Sequence, residues 1–147
     1  MITLSLRPYR QGRVWLNEMP NLHYAVAEII ECTLPAADSS IHEVRRAAIE
    51  LCLPKGGRAF YGLLGAEFTP VACGSLTVRM AVSVDNEPAI DWALAASLDQ
   101  VYAGIPYEYV DAVFVEACGP EAVDVLGSGV LRFCWGAYGL IGSSNSR

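Results

Sequence analysis

Gly104-Ile105-Pro106-Tyr107-Glu108-Tyr109-Val110-Asp111-Ala112-Val113 is the stretch on which the fold turns. Pro106 suits the first position of a helix, where its missing N–H costs nothing. Glu108 falls in the first turn, where a carboxylate complements the helix dipole. Tyr109, Val110, Val113, Phe114 and Ala117 then form an apolar stripe at helical spacing. The pattern predicts a helix over 106–118, closed by Gly119-Pro120.

Strands are predicted on both sides of this helix. Downstream, residues 129–138 read as a final strand. Upstream, Leu76, Val78, Met80, Val82 and Val84 share one face of a half-buried strand over 75–84. Asp85-Asn86-Glu87-Pro88 reads as a turn, and 90–103 as one or two returning strands that complete a hairpin.

The first half is less regular. Residues 2–6 read as a short edge strand and Pro8 to Gln11 as a turn. Residues 23–34 lean to strand through their β-branched content and the closing Pro35. Ser40 and Glu43 have capping-box spacing. Behind them Ile41, Val44, Ala48, Leu51 and Cys52 line one face of a predicted helix over 40–53, ended by Pro54-Lys55-Gly56-Gly57. Gly62, Gly65 and Pro70 break any long element in 59–72.

The chain has 147 residues, 53% hydrophobic and 18% charged, a globular composition with no linker, so a single domain over 1–147 is expected. No apolar run is long enough to span a bilayer, and the N-terminus lacks the pattern of a signal peptide. The cytoplasm is the expected compartment. Cys32, Cys52, Cys73, Cys118 and Cys134 are odd in number and contain no C-x-x-C pair. They read as small core residues rather than a disulfide framework or a metal site.

Net charge is −6, and it is uneven. Residues 1–73 hold seven basic and seven acidic side chains; residues 74–147 hold three arginines against nine carboxylates. Phosphate binding needs concentrated Lys and Arg, so the second half is poorly suited to naked nucleic acid.

Little catalytic chemistry is visible. His23 lies in no motif. His42 and Asp38 are four residues apart, and with a serine they would supply a hydrolase triad. Against that stands a solvated histidine beside a capping aspartate. Gly56-Gly57-Arg58 follows a predicted helix, whereas phosphate loops lead into one. Glu108, Asp111 and Glu116 have the spacing of a solvated helix face. Trp92, Tyr102, Tyr107, Tyr109, Trp135 and Tyr138 could stack on bases. Without basic residues between them, packing in a core or an oligomer interface is the better expectation. No catalytic residue, metal or cofactor is expected.

The opening stretch closely resembles the G-x-I-P-x-E-Y-[IV]-x-A-V segment of domain IV of elongation factor G and the related ribosomal protection proteins. Gly136-Ala137-Tyr138-Gly139-Leu140-Ile141-Gly142-Ser143-Ser144 resembles that family's G-S-Y-H-x-V-D-S-S loop. The likeness covers about 74–147. It implies an α+β fold of the ribosomal-protein domain 2-like type, a two-layer mixed sheet with helices on one face. It also implies a non-enzymatic, translation- or ribosome-associated binding module. Gly104, Pro106, Glu108 and Tyr109 would form its structural motif, and Tyr138, Gly139, Ser143 and Ser144 its binding loop. Two positions depart from the family: Gly139 stands where it has histidine, and Gly142 where it has aspartate.

In that family the loop opens a covering helix, and here the chain stops where that helix would begin. The strand–helix unit of residues 1–55 is therefore expected to supply the cover, within the chain as a permuted or duplicated half, or across a homodimer. A chain ending short of its helix is the other arrangement. An acidic, oligomeric protein-interaction or scaffold domain is the alternative function. A basic rim around loop 138–146, borrowed from Arg45, Arg46 and Arg58, would revive RNA binding.

Overall fold

The computed structural model describes residues 1–7, 10–55, 58–84, 89–95 and 101–139. The predicted turn at 85–88, Gly56-Gly57 of the predicted helix stop, residues 96–100 of the predicted returning strands, the loop from Leu140 onward and residues 8–9 of the first turn lie outside these.

A mixed sheet forms the body of the molecule. Its strands are β1 (Ile2–Arg7), β2 (Arg10–Leu16), β3 (Val26–Pro35), β4 (Arg45–Lys55), β5 (Arg58–Pro70), β6 (Ser75–Ser83), β7 (Ala89–Ile90), β8 (Val101–Ala103) and β9 (Gly129–Gly139). The main order is β1-β2-β4-β5-β9-β6-β3. All of these neighbours are antiparallel except β6 and β9, which run parallel. β8 joins β9 beyond the end of β6 and carries β7 on its other side. Helices α1 (Val110–Ala117) and α2 (Pro120–Leu126) fill the connection from β8 to β9.

The strands expected at 2–6, 23–34, 75–84 and 129–138 are present, and β1 lies at a sheet edge as expected. A single turn of 3-10 helix over Tyr107–Tyr109 leads into α1, so the helix predicted over 106–118 is two short pieces. Gly119-Pro120 closes α1, but Pro120 also opens α2 from its first position.

The helix predicted over 40–53 is instead strand β4, so residues 1–55 supply no covering helix. Ala48, Glu50 and Cys52 are buried at period two, while Ile49 between them is exposed. A glutamate at the middle inward position masks the alternation that marks a strand. The capping oxygens serve a turn, in which Ser39 Oγ accepts from the Ile41 amide at 3.0 Å. Residues 58–70 form one continuous strand despite their glycines. At Gly65 a Cβ would stand 2.7 Å from Met19 Cε and 2.9 Å from Trp135 Cβ. The glycine there admits close packing rather than breaking the strand. Among the described residues of 75–103, β6 pairs with β3 and β9 rather than with β7 or β8, so it does not form the expected hairpin with them.

Two cores lie on opposite faces of the sheet. Along β5, Tyr61 and Leu63 enter one cluster; Leu64, Ala66 and Phe68 enter the other. Alternate residues of a strand face opposite sides. The second cluster unites Leu76, Val78, Met80, Val82, Leu131 and Phe133 with Ile105, Val110 and Ala117, so both helices cover one face, as expected. The first is covered by Met19, Leu22, Tyr24 and the segment Ile90–Ala95.

Cys32 on β3 and Cys118 at the end of α1 form a disulfide, contrary to the sequence reading. They are 86 residues apart, and only the docking of α1 over the sheet brings them together. Of the other cysteines only Cys52 is in the core; Cys73 and Cys134 are exposed. No described helix is long and apolar enough to cross a membrane.

Candidate functional site

The two stretches singled out in the sequence meet in space. Gly104 leaves β8 with φ +136°. A Cβ there would lie 2.3 Å from Ser83 Oγ, so glycine is required by both conformation and space. The Gly104 amide donates to the Gly136 carbonyl at 2.7 Å. A Cβ on Gly136 would in turn lie 2.9 Å from the Gly104 oxygen. This contact presses the entry to the 3-10 turn against β9.

Pro106, with φ −64°, caps the 3-10 turn without a side-chain hydrogen bond, and Glu108 is exposed in its first turn. Tyr109 reaches Tyr138 on β9 edge-on, with ring centroids 6.4 Å apart. Tyr102 on β8 lies across from Tyr138, its ring tilted at 5.9 Å. Burial, with Glu108 and Tyr138 nearby, raises the Tyr109 phenol above its ordinary value. Tyr138 and Gly139 thus end β9 beside the motif residues, while Ser143 and Ser144 lie outside the described residues. Trp92 and Trp135 pack against the first core instead.

Asp38, Ser39, His42 and Ser128 do share an open cleft of about 350 Å³. The Ser128 hydroxyl is fully buried and donates to the Val71 carbonyl at 2.7 Å. No hydrogen bond joins His42 to Asp38 or to either serine, so no triad is assembled there. Among the described residues, no group of three or more His, Cys, Asp or Glu could hold a metal ion.

A buried polar network was not legible in the sequence. Glu50 is fully buried on β4. It accepts from Arg13 Nε, from the Tyr61 hydroxyl at 2.5 Å and from the Leu94 amide at 3.1 Å. Arg13 also donates to the Trp92 carbonyl at 2.8 Å and lies over the rings of Trp15 and Trp92. Burial and the bond to Glu50 push the Tyr61 phenol far up. Both partners hold backbone atoms of the segment over the first core, which makes this a structural clasp. The register Gln11↔Cys52 puts Arg13 opposite Glu50, a pairing that only the strand assignment reveals.

The same face carries a charged row across five strands, where Arg46, Glu67, Arg132, Arg79 and Glu31 are successive register partners. Arg46 binds Glu67 at 2.7 Å, Arg132 also binds Glu67, and Arg79 binds Glu31 at 2.9 Å. Burial alone would raise Glu67, but hydrogen bonds from Arg132 and Arg46 outweigh it and hold the carboxyl below its ordinary value. Arg45 pairs with Glu43 at 3.2 Å. Arg45 and Arg46 thus each hold a carboxylate. Comparison with family models, with curated proteins and with solved structures finds no match.

Proposed function

We propose that this chain is a non-enzymatic binding module of the kind found in domain IV of elongation factor G, acting through ribosome or protein contacts. The observation that carries this reading is the bond between Gly104 and Gly136. The two resembling stretches are separate in sequence and meet through their glycines, with Tyr109 edge-on to Tyr138 beside them. The ribosomal-protein domain 2-like fold belongs to the same proposal. So does a cytoplasmic site of action. Co-sedimentation with ribosomes at low salt tests it. Association weakened by Tyr138→Ala is expected, and its absence at low salt removes the ribosomal role.

A second reading, an acidic interaction or scaffold domain that self-associates, is favoured by a different observation. Ile2, Leu16 and Ile49 are each about half exposed. Ile2 pairs with Val14, and Val14 with Ile49, so an uncovered apolar face runs across β1, β2 and β4. Light scattering of the parent and of Ile49→Lys separates the readings. A parent dimer that the substitution makes monomeric supports self-association; a parent monomer rejects it.

A further inference from the structure

β3 is the last strand of the main sheet order, and among the described residues it pairs only with β6. The Ala36 amide donates to the Gly74 carbonyl at 3.0 Å, one step beyond the register pair Pro35↔Ser75. In an antiparallel ladder, directly opposed residues alternate between bonded and unbonded pairs. Leu34, Cys32 and Ile30 therefore bond β6, while Thr33, Glu31 and Ile29 turn their N–H and C=O to the free edge. Pro35, with no N–H to offer, falls in that outward set, where an edge strand tolerates proline. Such an edge is a template for one more strand.

The two sides of this edge differ. Ile30 and Cys32 face the second core under α1 and α2, so Glu28 shares their side. There Cys32 is tied to Cys118, and the helices expose Asp111, Glu116, Glu121 and Asp124. Residues 14–44 and 80–131 contain no Lys or Arg. On the opposite side Ile29 is 63% exposed, and Glu31 is paired with Arg79 at 2.9 Å.

We infer that the free edge of β3 takes an extended, basic segment of a partner protein as an added strand. Its peptide groups pair with those of Ile29, Glu31 and Thr33. Its Lys or Arg side chains lie on the helix side, toward Glu28 and the helix carboxylates, and its alternate apolar side chains lie beside Ile29. Charge selects this occupant over a second copy. Two β3 edges paired about a twofold axis would set two helix layers, each without a cation, on one side of a single sheet. β3 lies outside the stretch of resemblance, and three strands separate it from β4 and Ile49. The inference therefore rests on neither functional reading above.

Fluorescence anisotropy and amide hydrogen exchange of the full chain test it, with a labelled peptide of about seven residues alternating Lys and Val. The Ile29, Glu31 and Thr33 amides should exchange freely in the parent and slow at least about tenfold with peptide bound, while the Ile30 and Cys32 amides stay protected throughout. Proline in place of the central Val removes a ladder donor and should weaken binding about tenfold. Glu28→Lys should weaken it about fivefold or more with unchanged circular dichroism. Should that variant misfold, the proline peptide and the exchange rates of the parent need no variant. The inference is overturned if the Lys–Val peptide does not bind, or if a Glu–Val peptide of the same length binds as tightly. Binding that leaves the three amides fast would mean adsorption to the acidic helices, and would overturn it too. So would amides already slow in the parent that speed up on dilution, which would give the edge to a second copy. A failed ribosome sedimentation leaves every one of these readouts standing.

Discussion

Gly104 and Gly136 approach so closely that neither can carry a side chain: the amide of one donates to the carbonyl of the other at 2.7 Å. A methyl on Gly104 would meet Ser83 Oγ at 2.3 Å and suffer the strain of φ +136°. A methyl on Gly136 would meet Ile105 Cγ1 at 2.5 Å. Gly104→Ala should therefore cost about 2–4 kcal/mol, combining backbone strain with overpacking. Urea denaturation measures it. A loss under about 0.5 kcal/mol would contradict this account of the turn.

Removing one member of the buried clasp should be costly, because the other is left without its counter-charge. Arg13→Met leaves Glu50 buried beside apolar neighbours and frees the Trp92 carbonyl. A destabilisation of about 3–5 kcal/mol is expected. Tryptophan fluorescence should shift as well, since Trp15 and Trp92 both lie against the guanidinium. Replacing both partners, as in Arg13→Met with Glu50→Leu, should recover part of the loss.

The Cys32–Cys118 bond closes a long loop, so reduction relaxes a large part of the unfolded chain. The chain-entropy estimate for a separation of this size is about 4–5 kcal/mol, an upper figure for what dithiothreitol should remove. Melting with and without reductant reads the difference, and Cys32→Ser with Cys118→Ser should match the reduced parent. Equal melting temperatures in both conditions would mean the bond adds no stability.

Acid should act through Glu67. Its carboxyl is held below its ordinary value in the fold, so the unfolded chain binds the proton more readily. The stabilisation is fully present above the unfolded value of about 4.3, and is lost as pH falls through the lower folded value. Glu67→Gln should flatten the acid limb of stability against pH in that window. An unaltered limb would assign acid sensitivity to other carboxylates.

How far the sequence reveals these features depends on whether their signal is local. The alternation from Leu76 to Val82, and the Gly-Ile-Pro entry to α1, are set by immediate neighbours and were readable. β4 was not, because Glu50 interrupts its inward apolar positions and its partner Arg13 is distant in sequence. The disulfide and the charged row depend on tertiary placement and on register between strands that no local spacing encodes. At the candidate site, Gly104, Pro106, Glu108, Tyr109 and Tyr138 stand out in the sequence itself. That Gly104 bonds Gly136 is visible only in the assembled sheet.

β9 comes late in the chain yet lies inside the sheet, with β5 along one edge and β6 then β8 along the other. Without it the sheet falls into three pieces, β1-β2-β4-β5, β3-β6 and β7-β8. During synthesis those pieces wait with the edges of β5 and β6 unpaired until residues 129–139 emerge. The helices cannot seal the second core before then, since Leu131 and Phe133 complete it. Folding is thus timed by the arrival of one late strand, and such long-range closure is slow and exposed to aggregation while it waits.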